Sequence, residues 1–136
     1  MNPEDIKVIK EQSPFLFRIV SAGMHPQPDT LFPCSPVIYN PSGLPIPQDI
    51  MIHEVVHIAQ QGNNPTGWWQ KYITDKRFRF TQELEANQVQ YKFVCKVLKD
   101  KNQQARSLLA IAKNMAGEVY NLNISVNKIM EMVKNG

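Results

Sequence analysis

The stretch Ile50-Met51-Ile52-His53-Glu54-Val55-Val56-His57-Ile58-Ala59-Gln60-Gln61 constrains this chain more than any other. It is apolar on most sides, so a helix built from it is buried rather than laid on a surface. Yet it carries two histidines four residues apart and a glutamate directly after the first. In a helix, residues i and i+4 stand one turn apart on one face. His53 and His57 can therefore turn an imidazole nitrogen toward one point, with Glu54 beside that face. Buried imidazoles need partners, and a shared metal ion satisfies two at once. The pattern is H-E-x-x-H, whose chemistry is two zinc ligands followed by a general base, Glu54. Two of the chain's three histidines lie in it.

Composition narrows the class. With 136 residues, 43% hydrophobic and 20% charged, one domain spanning residues 1–136 with a real core is expected. A net charge of +3 with scattered basic residues argues against nucleic acid as a partner. The acidic N-terminus has no apolar signal core, and no run is long enough to span a membrane, so a cytoplasmic protein without a membrane partner is expected. In that setting Cys34 and Cys95 read as free thiols. The oligomeric state is not encoded in any recognisable pattern.

Along the chain, residues 3–12 read as a short helix, with Pro3 in the first turn and Glu4 and Asp5 at its positive end. Residues 15–20 are aromatic and β-branched and read as a strand. The proline-rich run 23–36 reads as a loop of fixed shape, and 37–39 as a second strand. The histidine helix should start between Pro47 and Asp49 and stop at Gly62. A short helix is expected over 67–73, holding Trp68, Trp69 and Tyr72, then a charged loop over 74–79. A long helix is expected from Thr81 to Leu98, and two amphipathic segments, over 105–116 and 119–133, supply core stripes. The fold class is therefore α+β and mainly α.

A catalytic zinc site takes three protein ligands and leaves a position open. A third histidine on the same helix would extend the motif to H-E-x-x-H-x-x-G-x-x-H, but Gln60 and Asn63 hold those places. His25, in the proline-rich loop, is one alternative. The stronger candidates are Glu83 and Glu85, which open the long helix 26 and 28 positions beyond His57 and point about 200° apart around it.

The runs H-E-V-V-H-I-A-Q-Q, G-W-W-Q-K-Y and E-L-E-A-N together resemble the small gluzincin-like metallopeptidases of bacteria and phages, over roughly residues 37–95. That resemblance implies a zincin-like fold, with a short antiparallel sheet or hairpin beside an H-E-x-x-H-x-x-Q helix and a second, glutamate-bearing helix. The strands over 15–20 and 37–40 would supply the sheet. In the family's E-x-x-A-D/N register Glu83 is the third ligand, Ala86 allows close helix packing, and Asn87 orients a ligand histidine. It further implies Zn²⁺ as cofactor, a peptide or protein as substrate, and hydrolysis by a zinc-activated water with Glu54 as base. Candidate donors to the oxyanion are Tyr72, Tyr91, His25, Arg77 and Arg79, and Trp68 is a candidate groove wall. The alternative is a zincin-like module that binds metal or a partner without turnover.

Overall fold

A computed structural model describes residues 5–117 and 122–136. Among the described residues three short strands and six helices follow in the order β1 (Lys7–Ile9), α1 (Leu16–Ser21), β2 (Phe32–Cys34), β3 (Val37–Tyr39), α2 (Gln48–Gln61), α3 (Pro65–Thr74), α4 (Lys76–Val97), α5 (Lys101–Met115) and α6 (Val126–Lys134). The chain is α+β and mainly helical, with the small sheet lying beside the histidine helix α2.

The sheet has the order β1-β3-β2. It is mixed: β1 runs parallel to β3, while β2 pairs antiparallel with β3, so residues 32–34 of the proline-rich run are a strand rather than part of a loop. The segment over 15–20 is no part of it. That segment is helical because Phe15 and Ile19, four apart, both point inward, while Phe17 and Val20 face solvent. A strand would have buried alternate residues instead. The helix expected over 3–12 is likewise corrected where it is described. Val8 and Ile9 are β-branched, and the backbone from Lys7 to Ile9 completes β3: the Lys7 N–H donates to the Pro36 carbonyl at 3.0 Å, and the Asn40 N–H to the Ile9 carbonyl at 2.8 Å. Residues 1–4 lie outside the described residues. Pro33 is tolerated within β2 because that strand is at the sheet's edge, where a missing N–H costs no ladder bond.

Three helix starts also differ from expectation, each for a capping reason. The charged run over 74–79 is not a loop. The Asp75 carboxylate accepts from the Arg77 and Phe78 N–H groups at 3.0 and 3.1 Å, so α4 begins at Lys76, five residues before Thr81. Asp100 does the same for α5, accepting from Asn102 and Gln103, where the sequence reads as a break. Ser125 caps α6 by accepting from the Lys128 N–H. Of the segment expected over 119–133, residues 119–121 lie outside the described residues, and 122–125 precede the helix. Helix α2 keeps its expected bounds and stops at Gly62, whose φ of +58° suits a glycine.

Two apolar clusters stabilise the arrangement. Phe15, Ile19, Met24, Phe32, Trp68 and Trp69 join α1, β2 and α3. Phe80, Tyr91, Leu108, Ala112, Met115, Ile129 and Val133 join α4 to α5 and α6. Helix α4 thus serves the C-terminal cluster with one set of residues and packs on α2 with another. A polar clamp fixes the hairpin to the helices. Gln61, 4% exposed, donates from Nε2 to the Pro33 carbonyl at 2.8 Å and accepts from the Ser35 N–H at 2.7 Å. The Trp69 indole donates to the same carbonyl at 2.7 Å. Replacing Gln61 by leucine leaves the Ser35 N–H without this acceptor. Denaturant unfolding is expected to show a loss of about 1–3 kcal/mol, and an unchanged midpoint would contradict the clamp.

Candidate metal centre

Helices α2 and α4 cross so that three side-chain atoms meet. His53 and His57 sit one turn apart on α2 as the i, i+4 spacing requires, and Glu83 comes from α4. Glu83 Oε1 lies 2.9 Å from His53 Nε2 and 2.8 Å from His57 Nε2, and the two Nε2 atoms are 3.1 Å apart. Glu83 therefore joins the histidines and Glu85 does not: Glu85 is exposed and accepts from Gln60 Nε2 at 2.8 Å. His25 lines the same cleft but stands outside the three-residue group.

The protonation pattern of the rings follows from their far sides. His53 Nδ1 lies 2.9 Å from Gln90 Oε1, and His57 Nδ1 lies 2.8 Å from Gln60 Oε1. Each glutamine's orientation is set by its amide nitrogen, which faces acceptors only. Gln90 Nε2 donates to Asp49 Oδ2 at 2.9 Å, and Gln60 Nε2 to the Gln82 carbonyl at 3.0 Å and to Glu85. Each glutamine thus presents an oxygen to its histidine, and each Nδ1 carries the hydrogen. In the neutral rings both Nε2 lone pairs then point at one carboxylate oxygen. Three acceptors in mutual contact repel one another unless a cation sits among them. Two imidazoles and a carboxylate are the donor set of a nitrogen- and oxygen-ligated divalent ion. His53, His57 and Glu83 form a group close enough together to hold a metal ion.

Without metal, protons answer the same need. Burial disfavours a charged His57, but the Glu83 carboxylate outweighs it and pushes the imidazole up to about 9. His53 is raised on the same balance of burial against Glu83. Burial alone would raise Glu83, but His57 and His53 hold it well below the usual carboxylate range. Glu54 differs. Burial pushes its carboxyl up, only partly offset by the two imidazoles, and its Oε2 is a buried oxygen without a hydrogen-bond partner among the described residues.

The remaining candidates separate clearly. Tyr72, on α3, donates its hydroxyl to Glu83 Oε2 at 2.7 Å. Trp68 stacks on Tyr72 with ring centres 4.8 Å apart and lies 5.3 Å from the His57 ring. Arg79 is buried and braces α3, donating to the Tyr72 and Ile73 carbonyls. Two expected site residues are elsewhere. Tyr91 belongs to the C-terminal cluster, since eight positions turn it about 80° around α4 from Glu83. Arg77 is exposed in the first turn of α4, away from the cleft lining. Asn87 is buried one turn beyond Glu83, but the rings' Nδ1 atoms are met by Gln90 and Gln60. A sequence signal for Gln90 exists: it follows Glu83 by seven positions, two helical turns, and so returns to the same face. The site opens into a cleft of about 780 Å³, walled by residues including Met24, Phe32, Leu44, Ile46, Ile50, Trp68 and Trp69.

Compared with known proteins, the chain matches no family model, no curated protein and no solved structure. Among the described residues no helix is long and apolar enough to cross a membrane.

The titrations give a signed prediction for the metal-free chain. His57 is raised from 6.5 to about 9, so its contribution to stability is fully present below pH 6.5 and disappears as pH climbs toward 9. Glu83 is depressed below 4.5, so its contribution is present above that pH and is lost as pH falls further. Chelator-treated protein should therefore melt at its highest temperature between these limits and lose stability on the alkaline side. Added metal should reverse the alkaline loss, since ligand nitrogens must shed protons to bind. A melting temperature flat from pH 6 to 9 in the chelated protein would contradict the assignment.

Proposed function

We propose that the chain is a zinc-dependent metallopeptidase of the gluzincin type, with His53, His57 and Glu83 as zinc ligands and Glu54 as general base. The observation that carries this reading is the pairing of a convergent His-His-Glu group with an unpartnered buried carboxylate oxygen in one cleft. A structural ion would need the group but would have no use for Glu54. Histidine and carboxylate ligands, three in number, favour zinc with a position left for water or substrate.

When bound, zinc supplies Lewis acidity that lowers the pKa of a water toward neutrality and polarises a scissile carbonyl. The chain's own residues do the rest. Glu54 accepts a proton from the attacking water and returns it to the departing amine, a task that a carboxyl raised by burial performs well near neutral pH. The Tyr72 hydroxyl on Oε2 leaves Glu83 Oε1 toward the histidines. Trp68, stacked on Tyr72 and set against the His57 ring, keeps water from one flank of the group. The cleft wall, rich in aromatic and aliphatic side chains, suits a peptide or protein segment as substrate.

The test is Glu54→Gln. The variant should keep stoichiometric zinc, measured by elemental analysis, while cleavage of a peptide library falls by about 10²–10⁴-fold. Equal cleavage by variant and parent would remove Glu54 from the chemistry. Bound zinc with no cleavage by the parent would leave a metal-binding module without turnover.

A further inference from the structure

We infer that Asp49 is a positioning residue for the metal group, acting on His53 through the amide of Gln90. This rests on the reading of His53 as a ligand. Asp49 stands one turn before His53 on α2, and Gln90 bridges the two from α4: Gln90 Nε2 donates to Asp49 Oδ2 at 2.9 Å, and Gln90 Oε1 accepts from His53 Nδ1 at 2.9 Å. An amide's two ends are almost the same size, so Gln90 keeps its oxygen toward His53 only because something holds its nitrogen on the other side. Asp49 is that holder. If the amide turned over, its N–H would face Nδ1. The neutral ring would then move its hydrogen to Nε2 and withdraw the lone pair that a metal needs.

The His57 arm is built with more security. Gln60 Nε2 has two acceptors, the Gln82 backbone carbonyl and Glu85. A carbonyl can only accept, so Gln60 remains oriented when Glu85 is removed. The two arms look alike and differ in consequence: losing Asp49 releases His53, whereas losing Glu85 leaves His57 in place. The geometry also gives Glu85, a rejected ligand, a subsidiary role.

The experiment reads the ring tautomer directly. Histidine-¹⁵N-labelled, metal-free protein is examined by NMR at an alkaline pH where the ¹⁵N shifts show both rings neutral, alongside zinc affinity measured by chelator competition. The parent and Asp49→Asn, which keeps an accepting oxygen but not the charge, should show His53 with its hydrogen on Nδ1. Asp49→Ala and Gln90→Met should both move His53 toward the Nε2–H form and weaken zinc binding by about tenfold or more. The double variant should add nothing further, because both changes cut one relay. Glu85→Ala should leave His57 unchanged in tautomer. If Asp49→Ala and Gln90→Met keep the parent tautomer, the relay is wrong, whatever happens to zinc. If the tautomers respond as stated but the parent binds no zinc, the relay stands and the metal reading fails.

Discussion

Everything around the site depends on one buried contact, that of Glu83 with His53 and His57. A carboxylate taken from water to the crossing of α2 and α4 costs several kcal/mol unless positive charge meets it. The two imidazoles on α2 face it at 2.8–2.9 Å. They are useful to it only when protonated or metal-bound. The crossing therefore carries a standing demand for a cation, and the elements packed about it keep the three atoms from separating. Helix α3 supplies Tyr72 to the free carboxylate oxygen, and the Gln60 and Gln90 amides hold the rings from behind.

The aromatic block and the polar clamp extend this support to the small sheet. Trp69 stacks on Phe15 and donates to the Pro33 carbonyl, while Gln61, at the end of α2, binds Pro33 and Ser35. The hairpin of β2 and β3 is thus tied to the same helix that carries the histidines. The sheet is small, and its role is to brace one wall of the cleft rather than to form a core of its own.

How far the sequence discloses this depends on the range of the signal. The i, i+4 histidines, the Gly62 stop and the carboxylate helix are legible because each is written within one or two helical turns. The segment over 15–20 reads wrongly as a strand because its β-branched and aromatic content outweighs the Phe15–Ile19 spacing, a helical period that only burial reveals. Strand β1 is hidden because its pairing is with β3, some thirty positions on, and three residues carry little pattern of their own. The starts of α4 and α5 escape the sequence because an aspartate can cap a helix or break one, and the outcome depends on whether the next residues turn their N–H groups back to it. Asp49 and Gln90 give no local sign of their partnership, which exists only once α2 and α4 cross. Tyr91 and Arg77 are candidates on residue type alone, and the turn of α4 places them on other faces.

Asp75 closes α3 and opens α4, so the two helices share a corner of a single residue. Tyr72 and Glu83 are therefore separated by a fixed count of helical positions on either side of a rigid joint. One residue added between Asp75 and Glu83 would rotate the carboxylate by about 100°, away from Tyr72 and both histidines. The corner behaves as a gear with no slack. A residue inserted in the loop over 23–31 would leave this count untouched, whereas one inserted between Tyr72 and Gln90 would break it, so along that stretch chain length itself sets the geometry of the group.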